Sequence, residues 1–301
     1  MGTPDVPDKV VSDRLSRTIN KRVMMVIVLS AILVVLGSIT LTSSAFWKKT
    51  PSYITSITSN TSGTTHTVVA AHTQIPATKP ILTPNKTRVH APVLGYPLFN
   101  GNTHLPEIAL TFDDGPNPFY TPQVLAILQK YGIKATFFDV GYLVADYPYI
   151  VRQEYNEGNT VANHSWSHLV LTYLSAQAIL SQLTSTTNAI QAAIGVRPTF
   201  FRPPYGATNN TVLAQARHLG YTTVLWDGSA EDWKVPGVSV IINKLLSYAR
   251  NGAILLLHDG GGNRAQTVAA LPTIITTLEN RGYKFVTIQQ LVDDLVTTPH
   301  G

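Results

Sequence analysis

Five polar clusters in the 301-residue chain bring together residue types that do chemistry. The first is Thr111-Phe112-Asp113-Asp114-Gly115-Pro116, two adjacent carboxylates closing an apolar run. A turn that caps the strand would explain it equally well. Successive strand side chains point to opposite sides, so the pair is expected to divide its work, one carboxylate on a metal and one as a base. The second is Asn163-His164-Ser165-Trp166-Ser167-His168. Two His at i, i+4 on a helical turn stand ~5–6 Å apart and can share an ion. In a strand they would be ~13 Å apart, so the strand must end by His164. One Asp and two His form an open N/O ligand set of catalytic type, and Cys is absent from the chain.

The third cluster is Arg202-Pro203-Pro204-Tyr205-Gly206. Two prolines lack N–H groups, so Tyr205 carries the first backbone donor after Arg202, on a stiffened loop. Taken alone, it is as readily a rigid turn. The fourth, Glu231-Asp232-Trp233, reads by itself as a surface loop. The fifth, Ile254-Leu255-Leu256-Leu257-His258-Asp259-Gly260, is a strand apolar on both faces that ends in His-Asp.

The elements that must position these clusters alternate. Strands are expected at 107–112, 135–140, 160–163, 199–202, 222–226, 253–258 and 284–288. Helices are expected at 121–131, with Thr121 as cap and Pro122 at the first position, near 149–156, and at 175–194, 208–219, 238–250 and 266–280. Gly132, Gly158, Gly195, Gly220 and Gly282 stand at or just beyond helix ends. Seven β/α alternations predict an α/β fold with a parallel sheet or barrel. Each polar cluster then falls at or after the C-terminal end of a strand, where β/α barrels keep their active sites.

Composition narrows the function classes. The net charge is +5 and hydrophobic residues make up 44%, which excludes a disordered chain. Without Cys there is no thiol catalysis, Fe–S cluster or Cys-based zinc finger. Residues 1–99 hold ten Lys/Arg and three Asp/Glu, against twelve and fourteen in residues 100–301. The folded part is thus slightly acidic, and no nucleic-acid partner is expected. Val23 to Trp47 carries no charge, and Lys9, Arg14, Arg17, Lys21 and Arg22 precede it. About 20 apolar residues span a ~30 Å bilayer core, and the basic flank places the N-terminus in the cytoplasm. A cleaved signal is the rival, with Ser43-Ser44-Ala45 as its site. Thr50 to Pro92 holds eleven Thr, four Ser and five Pro and reads as a disordered stalk. The expected order is a basic tail (1–22), a transmembrane signal anchor (23–44), a stalk (45–100) and a catalytic domain (101–301) outside the cytoplasm, or secreted if the signal is cleaved. No obligate protein partner is evident.

In order, T-F-D-D-G-P, H-S-x-x-H, R-P-P-Y-G, D-W and L-x-H-D resemble the five motifs of the polysaccharide deacetylases, carbohydrate esterase family four, over about Gly101 to Val296. The resemblance implies a distorted (β/α)7 barrel. It makes Asp114, His164 and His168 the ligands of a divalent ion, Zn2+ first, with Co2+, Mn2+, Ni2+ or Fe2+ as alternatives. It makes Asp113 the general base paired to Arg202, and Tyr205 an oxyanion donor through its N–H. His258 becomes the general acid tuned by Asp232, with Trp233 and Leu256 around the acetyl methyl. The implied activity is de-N-acetylation of N-acetylglucosamine in a cell-surface polysaccharide, peptidoglycan or chitin-like. An O-acetyl xylan esterase and a cyclic amide hydrolase of the same fold are alternatives. A non-catalytic surface module would show a lost ligand, and none is lost.

Overall fold

The computed structural model describes residues 93–297. The expected basic tail, membrane anchor and most of the stalk lie outside the described residues, among which no helix is long and apolar enough to cross a membrane. Among the described residues, eight strands form the sheet: β1 (Glu107–Gly115), β2 (Thr136–Asp139), β3 (Thr160–Asn163), β4 (Phe200–Phe201), β5 (Thr222–Thr223), β6 (Gly228–Ser229), β7 (Ala253–His258) and β8 (Lys284–Phe285). Their order is β5-β4-β3-β2-β1-β7-β6, with β8 on β1, and every pairing is parallel. Helices join them: α1 (Thr121–Tyr131), α2 (Gly141–Asp146), α3 (Pro148–Asn156), α4 (Ala176–Ile194), α5 (Asn210–His218), α6 (Val238–Ser247), α7 (Ala265–Asn280) and α8 (Ile288–Thr297). A parallel sheet with helical crossovers fits the distorted (β/α)7 barrel.

The period of two along β1 sorts its side chains between two cores. Ile108, Leu110 and Phe112 pack outward with Leu125, Leu271 and Ile274. Ala109 faces inward with Phe138, Ala162, Phe200, Val224 and Ile254. By the same alternation Thr111 and Asp113 share the inner side. Leu128 and Val124 bury the apolar stripe of α1, which ends where Gly132 takes φ 67°, as its place after the stripe foretold. Thr121 does not cap this helix. Tyr120 occupies that position, and the Thr121 hydroxyl donates instead to Asp259.

Helix α2 and strand β6 have no counterpart among the expected elements, and further features depart from the sequence expectation. Residues 94–100 belong to the barrel rather than the stalk: Leu98 is buried in the inner core, its N–H donates to Thr223 and its carbonyl accepts from Leu225. Helix α8 lies beyond the last expected strand, and its Ile288, Leu291 and Val292 join the same core. That spacing is helical, i, i+3, i+4. Strands β4, β5 and β8 are two residues each, shorter than read; the residues after β4 and β5 turn into loops that carry Tyr205 and Trp226 to the site, and those after β8 turn into helix α8.

Candidate active site

Four of the five clusters leave the C-terminal ends of β1, β3, β4 and β7, and Asp232 follows β6. They line one cavity of about 700 Å³, the size of a small-ligand site. At the end of β1 the expected division of the carboxylates fails in its geometry. A bulge lies between Asp113 and Gly115, and Asp114 takes φ 71°. This turns Asp114 back to the side that Asp113 already faces. His164 Nε2 lies 3.6 Å from both Asp113 Oδ2 and Asp114 Oδ1. The two carboxylates differ instead in their partners.

Asp113 is held by Arg202, whose Nη1 donates to Oδ1 at 2.6 Å. Arg202 is fully buried, and the same Nη1 also donates to Thr111 at 2.9 Å. Nε and Nη2 reach the carbonyls of Val224 and Leu225, and the guanidinium lies 4.0 Å from the Phe138 ring centroid. A buried charge is tolerable only with this degree of pairing. The exposed Arg of a simple turn is therefore excluded.

The segment after β3 is a loop, not the helical turn expected for H-x-x-x-H. Ser165 and His168 have φ 66° and 54°, and the rings of His164 and His168 stand 4.9 Å apart all the same. Two neighbours hold this loop. Asn163 accepts from Ser165 N–H at 2.8 Å while donating to Leu183 and Tyr221. Gln182 of α4 accepts from the N–H groups of Trp166 and Ser167, both at 2.9 Å. His164 Nδ1 donates to the Arg202 carbonyl at 2.7 Å, so Nε2 is left with its lone pair toward Asp114.

Donor atoms of Asp114, His164 and His168 all lie within 4.8 Å of one another. Asp114 Oδ1 is buried with no hydrogen-bond partner, 3.1 Å from His168 Nε2. An orphaned carboxylate oxygen between two imidazoles suits a cation. The residues fit a divalent ion of the N/O-binding kind. Burial alone would raise the Asp114 pKa; the two imidazoles reverse that and hold it far below the usual carboxylate range. For His164, burial opposes protonation, but Asp113 and Asp114 outweigh it and raise its pKa.

On the opposite wall, His258 Nδ1 lies 2.7 Å from Asp232 Oδ1, and its backbone N–H donates to Asp232 Oδ2 at 2.9 Å. Burial pushes the imidazole toward neutrality, yet Asp232, then Asp113 and Asp114, carry its pKa above the ordinary value. Nδ1 is thus engaged, and Nε2 is the nitrogen free to exchange a proton with a ligand. Tyr205 has φ 60°; its ring packs 4.7 Å from that of His168. Leu256 is buried on the cavity wall, while Trp233 is 52% exposed and stands at the rim. The sequence reading missed Trp226 and Tyr142, which also line the cavity. The sequence pattern makes Trp226 the end of a strand, and Tyr142 precedes no recognisable polar cluster.

A polysaccharide deacetylase family model matches residues 100–224. A peptidoglycan-N-acetylglucosamine deacetylase of Bacillus cereus is 43% identical over 187 residues, 62% of this chain and 87% of the relative. A chitooligosaccharide deacetylase of Bradyrhizobium is 38% identical over 196 residues, 61% of this chain and 90% of the relative. Among solved structures, the Bc1960 peptidoglycan N-acetylglucosamine deacetylase superposes with a TM-score of 0.63 at 34% identity, covering 64% of this chain and 91% of its own. Identity at that level across nearly the whole of the bacillary relative, on one barrel with one site, makes the chain a member of the polysaccharide deacetylases, carbohydrate esterase family 4.

Proposed function

We propose that the protein is a metal-dependent hydrolase that removes N-acetyl groups from N-acetylglucosamine residues of a cell-surface polysaccharide, peptidoglycan first and chitin-like oligomers second. The observation that carries this reading is the cluster of Asp114, His164 and His168 beside the Arg202-bound Asp113, facing the His258–Asp232 pair across one cavity. The names of the relatives support the substrate class.

Asp114, His164 and His168 would hold the ion, with Zn2+ the first expectation for two His and one carboxylate. When bound, it supplies Lewis-acid polarisation of the acetamide carbonyl and acidification of a water. Asp113 receives the proton of the attacking water at Oδ2, because Oδ1 is occupied by Arg202. The backbone N–H of Tyr205 donates to the carbonyl oxygen as it gains charge. His258 delivers a proton from Nε2 to the departing amine, while Asp232 holds Nδ1. Leu256 and Trp233 would flank the acetyl methyl.

The uncharged run Val23–Trp47 behind a basic flank supports a membrane tether with the barrel outside the cytoplasm. Protease added to intact cells should then release an active fragment, and a domain protected until lysis would rule the topology out. For the activity itself, wall material and chitin oligomers are incubated with the full chain and free glucosamine amines are counted. New amines with matching acetate are expected. Acetate from acetylated xylan without amines from either glycan would show an O-acetyl esterase instead.

A further inference from the structure

Asp232 lies in the loop after β6, and its side chain has no exposed surface. Its carboxylate receives three donors. Oδ1 faces His258 Nδ1 at 2.7 Å. Oδ2 accepts the His258 backbone N–H at 2.9 Å and the Thr267 hydroxyl at 2.7 Å. An ionised carboxylate only accepts, so the hydroxyl must be the donor. Thr267 is itself buried, in the first turn of α7, an element outside the five clusters. The next residue back ties the same loop: Gln266 accepts from the Gly237 N–H at 2.7 Å. Helix α7 therefore grips the Asp232 loop at two points, on the carboxylate and five residues beyond it.

We infer that Thr267 is a positioning residue of the deacetylation reaction, fixing the plane of the Asp232 carboxylate so that Oδ1 stays aimed at His258. The inference rests on the reading of His258 as general acid. Both bonds to His258 come from one residue on β7 and leave the carboxylate able to swing about that strand end. Thr267 supplies the third point, from a different element. Without it, Oδ2 keeps one donor on a side chain with no exposed surface, and the imidazole loses a fixed partner. Small misplacement of a proton-transfer group lowers turnover more than ground-state binding.

A buried threonine hydroxyl could also serve stability alone, and the variants separate the two roles. Thr267→Val keeps shape and burial and removes the donor; Thr267→Ser keeps the donor and removes a methyl; Thr267→Ala serves if the valine packs badly. Each is made in the full chain and assayed on chitin oligomers. Thr267→Val and Thr267→Ala are expected to lower kcat ~10-fold with KM unchanged, and Thr267→Ser to restore most of it. In an Asp232→Ala background, Thr267→Val should cost nothing further, because its effect passes through that carboxylate. Wild-type kcat in the valine variant, failure of serine to restore it, or an undiminished loss in the Asp232→Ala background would each overturn the inference. Full kcat in Asp232→Ala and His258→Ala would instead remove the general-acid reading, a result distinct from failure at Thr267 alone.

Discussion

Asp113 and Asp114 are chemically identical neighbours whose partners divide them. Asp113 has Arg202 on one oxygen; Asp114 has two imidazoles and an orphaned buried oxygen. Asp113→Asn should keep the shape and lose the basic oxygen. Turnover should fall ~10²–10⁴-fold, the usual worth of general-base catalysis, while metal content measured on the purified variant stays at the wild-type level. Metal lost first would make Asp113 a ligand. His258 supplies a test with a sign. A general acid acts protonated, so kcat falls as pH rises through its pKa. Burial lowers that pKa, but Asp232 and the more distant Asp113 and Asp114 raise it on balance, extending activity to higher pH. Asp232→Asn removes the first of the raising influences, and the alkaline limb of the kcat profile should move to lower pH. An unmoved limb would assign it to another group.

Elements place these residues by departing from ideal geometry. Asp114, Ser165, His168 and Tyr205 all adopt positive φ, as do Glu231 and Val235 beside Asp232. Non-glycine residues are rarely found there, and such strain collects where the surroundings over-determine a functional loop. The bulge in β1 depends on close contact with the loop after β7. A Cβ on Gly260 would lie 1.8 Å from the Asp114 carbonyl oxygen, a backbone atom that cannot yield without undoing the bulge. Gly260→Ala should therefore cost about 1–3 kcal/mol, the range for overpacking, and weaken metal binding, as read by thermal melting and metal titration. Gly95→Ala, where a Cβ meets nothing within 4 Å, is the control and should leave both unchanged. Wild-type metal affinity in Gly260→Ala would show that the bulge does not set the ligand geometry.

At the scale of the whole molecule, the barrel carries buried acids that the chemistry does not use. Asp139, Glu154 and Asp259 are fully buried, and the Asp139 and Glu154 carboxyls bond to each other, which requires a proton on one of them. Burial pushes Asp139 up to about 7, and burial, then Asp139 and Asp259, raise Glu154 well above its ordinary 4.5. A carboxyl raised in the folded state contributes its full stability below the unfolded pKa. That contribution is lost as pH climbs toward the folded value, because the unfolded chain ionises freely and the folded one resists. Glu154→Gln removes this dependence. Its melting temperature, relative to wild type, should rise between pH 4 and pH 8, measured with chelator present. A constant difference would mean that Glu154 ionises in the fold without cost.

The order of residues alone sets the parallel α/β alternation, the five clusters and their place at strand ends. These follow from local rules: apolar period two in β1, apolar spacing in α1, and Gly132 after its last turn. It also determined which residue types meet, because Asp, His and Arg at the ends of successive parallel strands converge on one barrel mouth. How they meet depends on the folded chain. The period-two rule sends Asp114 away from Asp113, and the bulge packed against Gly260 brings it back. The helical spacing expected for His164 and His168 is replaced by a loop that Asn163 and Gln182 hold from β3 and α4. Trp226, Tyr142 and Thr267 reach the site or its support from positions with no local signature. Each of these outcomes depends on contacts between residues distant in the chain, and neither spacing nor propensity encodes such contacts.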